Sequence, residues 1–285
     1  MRAAKYWQAD NWADFLPNTL GISQPPVDLY AIARNQRVKR LGFRFIIPRG
    51  LLLPVEGGFE VYLRDQNRKD FDILGREPKD LLSPRQRFSL AHEIAHTLFY
   101  KFSDSVPAPD DTVSNGSQLE NICNRTAMHI LVPTCLLKRE VDDYEKIDAT
   151  IVRWLAARFR TSLTVIIERL SIVHGSNPSE RCILLLRRVD DDAEIRAIYL
   201  GIGLLRTLQR PNKYTRLSQW LRDFPRGVIE RREEADCTIT RMGRPIRFVK
   251  TELGSSGDFL MQVDVLPTPT ASRVASHAKL FQSAR

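Results

Sequence analysis

The chain has few cysteines, and the four present, Cys123, Cys135, Cys182 and Cys237, are scattered with no CxxC pair. That spacing excludes a disulfide framework and a structural zinc ribbon, and it suits a reducing compartment. Long apolar runs are missing too. Met1 to Asp10 mixes Arg2 and Lys5 with Tyr6, Trp7 and Gln8, so neither a signal peptide nor a membrane anchor is predicted, and a cytoplasmic protein without a membrane partner is expected. There is no low-complexity tract and no internal repeat, which excludes a largely disordered chain or a solenoid.

What is present is globular in composition, with 43% apolar and 27% charged residues over a length that exceeds one average domain. The net charge of +9 comes largely from arginines dispersed along the chain. Dispersed arginines are more often a solvated surface than a nucleic-acid footprint, so charge alone does not decide function.

Residues 1 to 40 read as mainly helical, with Val27 to Arg37 a helix after the Pro25-Pro26 break. Strand-like runs follow at Gly42 to Ile47 and Gly58 to Leu63, separated by a loop rich in proline and glycine. In the second run Phe59, Val61 and Leu63 alternate with Glu60, Tyr62 and Arg64, the pattern of a half-exposed strand that could offer a sheet edge to an extended peptide. Ser83-Pro84-Arg85-Gln86 is a helix start, with serine as cap, proline at the first helical position and glutamine closing a capping box. That helix is predicted to run to about Lys101, and a second from about Gln118 to Leu131.

His92-Glu93-Ile94-Ala95-His96 is an HExxH sequence on the first of these helices. Four residues advance a helix by about 400°, so His92 and His96 stand one turn apart and only about 40° around the axis, where both imidazoles can reach one metal ion. Glu93 lies on the same side, placed to act as a general base on water. A chance pentapeptide of this kind is expected in roughly one per cent of chains of this length. A catalytic zinc needs a third protein ligand and an open position. Glu120 lies early in the next helix, on a face shared with Cys123, Asn124 and Ala127, and is expected to face inward. Spacing leaves alternatives open: Ser117 to Glu120 is also a capping-box pattern, and Cys123, His129, Asp110 or Asp111 could supply the third donor.

Arg87 to Leu98, with Glu120-Asn121-Ile122-Cys123-Asn124, Thr126-Ala127 and Leu131-Val132-Pro133, closely resembles the ImmA/IrrE family of metallopeptidases. The resemblance covers roughly residues 25 to 175. It implies zinc as cofactor, His92, His96 and Glu120 as ligands and Glu93 as catalytic base. It further implies a zincin-like α+β fold and a protein substrate, typically a helix-turn-helix transcriptional repressor of stress-response or mobile-element genes. Cys123, Thr126 and Val132 stand where alanine, phenylalanine and methionine are usual in the family.

The expected organisation is a peptidase domain over 1–137, a helix-turn-helix-like segment over 138–177, a smaller α+β domain over 178–268 and a basic tail over 269–285. The helix pair, Ala149 to Phe159 and Leu163 to Val173, reads either as a DNA-contacting unit through Arg158, Arg160 and Arg169 or as a packing element built on Val165, Ile166, Ile167 and Leu170. Some family members carry appended sensor-like domains, one of them similar to a GAF domain, and five strand-like runs after residue 178 suit such a unit. Two functions compete: a site-specific zinc endopeptidase, and a DNA-binding regulator whose zinc site is structural.

Overall fold

The computed structural model describes residues 2–65, 82–102, 105–110, 116–144, 147–173, 181–190, 192–200, 230–232, 236–241, 244–253 and 258–265. The fold is mixed α+β, and the chain divides into two compact units, Met1–Arg169 and Leu170–Arg285. His174, His277 and the expected tail over 269–285 lie outside the described residues.

In the first unit, helices α1 (Arg2–Thr19) and α2 (Leu29–Asn35) precede three strands, β1 (Val38–Arg44), β2 (Gly50–Val55) and β3 (Gly58–Arg64). Helix α3 (Pro84–Thr97) follows, then the small hairpin of β4 (Tyr100–Lys101) and β5 (Ala108–Pro109) and helix α4 (Ser117–Leu131). Helices α5 (Thr134–Val141), α6 (Ala149–Arg158) and α7 (Leu163–Val173) complete the series, the last turn of α7 falling beyond the unit boundary.

The start of α3 is the one read from sequence. Ser83 Oγ accepts from Gln86 N at 3.3 Å while Gln86 Oε1 accepts from Ser83 N at 3.1 Å, a closed capping box of the kind that contributes about 1 kcal/mol. The helix ends at Thr97 rather than near Lys101, because the chain turns after Leu98 to enter β4. The alternative reading of Ser117 to Glu120 as a capping box is not realised. Gly116 is the N-cap of α4 and offers no side chain to cap it, and the Glu120 carboxylate turns instead toward the histidines of α3.

Sheet order corrects a second expectation. β3 lies between β1, to which it is parallel, and β2, to which it is antiparallel, so Phe59–Leu63 is a central strand and not an edge. Its alternation misled because Tyr62, on the nominally outer side, is fully buried: Arg44 lies 3.6 Å from the ring centroid, and the phenol donates to Glu60 at 2.7 Å. Among the described residues no strand pairs with β2 on its other side, and this edge belongs to a strand the sequence presents as a loop. Pro54, with no N–H to offer a neighbour, suits that edge position. Helix α3 packs on β2 and β3 with one side and on α4 with another.

A buried polar cluster joins the helices. Arg169 on α7 has no exposed side-chain surface. Its Nε donates to Val132 O at 2.8 Å, and its Nη2 to Thr134 Oγ1 at 2.7 Å and to Asp14 Oδ1 at 3.2 Å. Nη1 lies 2.7 Å from His129 Nε2, and His129 Nδ1 lies 3.1 Å from Asp14 Oδ2. A guanidinium can only donate, so His129 Nε2 must accept and Nδ1 must carry the proton given to Asp14. Arg169 is therefore an internal tie between α1, α4, α5 and α7 and is not presented to DNA. Arg158 is paired with Glu140 at 3.4 Å, and Val165, Ile166 and Ile167 are buried, so α7 is a packing helix over this stretch.

The second unit contains an antiparallel sheet of β6 (Arg181–Val189), β7 (Asp192–Leu200), β8 (Glu230–Arg232), β9 (Asp236–Arg241), β10 (Arg244–Glu252) and β11 (Asp258–Val265), in the order β7-β6-β11-β10-β9-β8. Cys182 to Leu186 is buried at every position, the signature of a strand covered on both faces.

Asp14 gives the cluster a pH signature. Burial works against its charge, but the bonds from His129 and Thr134 and the Arg169 charge outweigh it and bring the carboxyl from its ordinary 3.8 down to about 2. A depressed carboxyl stabilises the fold above its unfolded value and loses that contribution as pH falls through the folded one. The expected contribution is about 2 kcal/mol, intact above pH 4 and gone below pH 2. Urea unfolding of wild type and Asp14→Asn should show a stability gap that narrows across that window; a pH-independent gap would contradict the assignment. Arg169→Met should cost about 1–3 kcal/mol by leaving a half-buried carboxylate with only its Thr134 and His129 bonds.

Candidate metal centre

Helix α3 presents His92 and His96 one turn apart, and their Nε2 atoms lie 3.0 Å from each other. Helix α4 crosses that face and brings in Glu120, with Oε2 at 3.2 Å from His92 Nε2 and Oε1 at 3.4 Å from His96 Nε2. These ligand atoms all lie within 4.8 Å of one another, as donors to a single cation would. Two imidazoles and one carboxylate form a donor set suited to zinc with one position left open. Burial lowers the proton affinity of both imidazoles. It takes His96, which also faces His92, down to about 4 against the opposing pull of Glu120, and lowers His92 likewise. Neutral imidazole is the form that binds metal, so the pair is ready as ligands at neutral pH.

Glu93 is set apart from the ligand atoms. It is 7% exposed and sits against Gly50 of β2. Burial, reinforced by the Glu120 charge, raises its carboxyl from 4.5 to about 7, while a hydrogen bond from the Leu52 backbone pulls the other way. A carboxyl of that proton affinity can both take and return a proton near neutrality. Its place depends on Gly50 lacking a side chain, since a β-carbon there would collide with the Glu93 carboxylate and stand 2.8 Å from its Cγ. The surrounding cleft, of about 490 Å³, runs between β2 (Gly50, Leu51, Leu52) and the two helices and also includes Tyr100 and Asn124.

The structure thus brings together His92, Glu93, His96 and Glu120. Glu120 departs from its expected inward orientation, with its side chain 54% exposed, because its carboxylate opens onto the cleft rather than into the helix interface. The other candidates stand elsewhere. His129 belongs to the Asp14 and Arg169 cluster, and Asp110 follows the β4–β5 hairpin beside Lys101 at 3.9 Å. Asp111 is outside the described residues. Cys123 is fully buried, and burial together with the Glu120 and Glu93 charges pushes its thiol strongly up, holding it protonated and a poor ligand. Gly50, Leu52 and Tyr100 carry no motif in the sequence, whereas Asn124 belongs to the stretch after Glu120 that carries the family resemblance. The only signal for Gly50 was its punctuation between strands, read as a loop.

Residues 78–171 match the sequence model of Peptidase_M78, described as the IrrE N-terminal-like domain. Over that stretch the chain matches the ImmA/IrrE family. The M78 match contains all four residues of the centre and both helices that carry them. No curated protein matches the chain. Among solved structures, a Mycobacterium tuberculosis transcriptional regulator superposes with a TM-score of 0.43 and 12% identity, over 90% of this chain and 74% of that one. Among the described residues no helix is long and apolar enough to cross a membrane.

Glu120→Ala tests the third ligand. Glu120 makes no capping bond, so the metal-free variant should unfold within about 0.5 kcal/mol of metal-free wild type, while zinc measured after dialysis should fall from one equivalent to near zero. Full zinc retention by the variant would remove Glu120 from the ligand set.

Proposed function

We propose that the chain is a zinc-dependent, site-specific endopeptidase, with His92, His96 and Glu120 as metal ligands and Glu93 as general base. The observation that carries this reading is the convergence of those three donors beside a buried, high-affinity carboxyl at an open strand edge. The match to a peptidase family supports it. When bound there, zinc would supply Lewis acidity, making water acidic enough to react near neutral pH and polarising the scissile carbonyl. Glu93 takes the proton from the attacking water and returns it to the leaving amine. To Tyr100, which lines the same cleft, the proposal assigns the donation of its O–H to the carbonyl oxygen.

The substrate is held as an extended strand along β2. Leu52 turns its N–H outward to Glu93, so by alternation the backbone groups of Gly50 also face the cleft. Pairing there would set the scissile bond beside Glu93, and edge addition gives affinity with little sequence preference. Selectivity then comes from recognition of a folded protein partner, for which a helix-turn-helix transcriptional repressor of stress-response or mobile-element genes is the candidate that the family resemblance supplies. The division into a peptidase domain, a helical segment and a C-terminal sensor or interaction unit, GAF-like in the resemblance, is part of the same proposal. The competing reading, a DNA-binding regulator with structural zinc, is disfavoured by the burial of Arg169 and by a base that a structural site does not need.

Zinc-loaded protein mixed with the repressor encoded nearest to it should yield one defined cut, whereas casein should survive. Glu93→Gln should keep its zinc and lose at least 10²-fold in rate, a typical scale for a general base. Gly50→Ala should also keep zinc but lose activity, because the added methyl displaces Glu93. Equal turnover by either variant would refute the role given to Glu93, and salt-sensitive DNA binding without cleavage would favour the regulator.

A further inference from the structure

Glu120 is not alone in meeting His92 from α4. Asn124 lies four residues further on, which advances the helix by about 6 Å and turns it by only about 40°, so the two side chains leave the same face of α4 one turn apart. Both line the cleft together with His92. Glu120 Oε2 stands 3.2 Å from His92 Nε2, the ring nitrogen that also faces His96 Nε2 at 3.0 Å. The Asn124 side chain stands within hydrogen-bonding reach of the same ring and favours its protonated form, as an acceptor does.

The second ring nitrogen has an unmet need. His92 Nδ1 is buried, and among the described residues no hydrogen bond of ordinary geometry closes on it. Buried polar atoms are normally paired, and an imidazole that ligates a metal through Nε2 keeps its proton on Nδ1, where it can only donate. An acceptor is therefore required behind His92. The nitrogen of an amide cannot accept, so an asparagine answers that need only through its Oδ1, which fixes which way round the amide must sit. It does so without adding a third carboxylate to a cleft that already holds Glu93 and Glu120.

The geometry points to Asn124 as the positioning residue of His92, its Oδ1 accepting from Nδ1–H and so holding the ring in the tautomer and orientation that turn Nε2 toward His96 and Glu120. The inference rests on the zinc centre proposed above and adds the group that stands behind one of its ligands. One turn of α4 then grips the His92 ring at both nitrogens, with Glu120 beside Nε2 and Asn124 at Nδ1. The packing of α4 on α3 therefore sets the aim of a histidine ligand as well as supplying the carboxylate. Partners of this kind fix the tautomer and raise the basicity of the ligating nitrogen, and their loss typically weakens metal binding about ten- to hundredfold.

The test measures zinc affinity of the full chain by competition with a chromophoric chelator, and follows histidines labelled with 15N in the ring by NMR. In wild type, zinc should shift the signals of two imidazoles, both ligating through Nε2, and one of them should carry an Nδ1–H that exchanges slowly with water. Asn124→Leu, close to asparagine in shape but with no acceptor, should still bind one equivalent of zinc, about ten- to hundredfold more weakly, and should lose the slow exchange of that one proton while the other zinc-shifted imidazole is unchanged. Asn124→Asp should restore both the affinity and the protected proton, because a carboxylate oxygen accepts the same bond. If the leucine variant does not fold, Asn124→Ala carries the same expectations. Wild-type affinity and an unchanged proton signal in the variants without an acceptor, or an equal loss in Asn124→Asp, would overturn the inference while leaving the zinc centre standing. A wild-type chain that binds no zinc would overturn the centre and the inference together.

Discussion

The packing of α3 against α4 is the contact on which the rest of the first unit depends, because neither helix holds a metal site alone. HExxH spacing gives α3 two imidazoles on one face, but two nitrogens 3.0 Å apart make an incomplete donor set. Glu120 completes it only because α4 crosses that face with its first turn at the right height. That height is fixed from behind. His129, further along α4, is tied through Asp14 to α1 and through Arg169 to α7, inside an interior where a misplaced charge would cost several kcal/mol. The buried cluster and the exposed carboxylate are two ends of one helix, the first holding the element in place and the second facing the cleft.

The small sheet supplies the other wall. β2 is an edge strand that approaches α3 so closely that a β-carbon at position 50 would displace the Glu93 side chain, and this closeness puts the Leu52 N–H within reach of Glu93. One backbone approach therefore buries the carboxyl, raises its proton affinity and orients it, while leaving the outer rim of the strand open to the cleft. On the proposed reading, chemistry and substrate alignment share that strand, and specificity must reside in surfaces beyond it.

Much of the centre was legible in the sequence. The HExxH spacing, the Ser83 capping box and the amphipathic Gln118–Leu131 stretch are local patterns, and local patterns survive folding. What was missed depends on tertiary contacts. Gly50–Val55 reads as a loop because glycine and proline punctuate it, yet its pairing with β3 makes it a strand. Tyr62 reads as an outward residue because the arginines that cover it come from a neighbouring strand. Arg169 reads as a candidate DNA contact and His129 as an alternative third donor; their partner Asp14 lies more than a hundred residues earlier, where no periodicity could announce it. Glu120 reads as inward-facing, but its side chain is 54% exposed and its carboxylate stands at the rim of the cleft beside both histidine nitrogens.

The central claim is that two histidine nitrogens and a glutamate carboxylate, with no thiolate, form the metal's protein shell. X-ray absorption at the zinc edge of the purified, zinc-loaded chain tests it most directly. The account predicts only nitrogen and oxygen neighbours at about 2.0–2.2 Å, two of them imidazoles. A sulfur neighbour at about 2.3 Å would place Cys123 in the shell, close the open position and contradict the account.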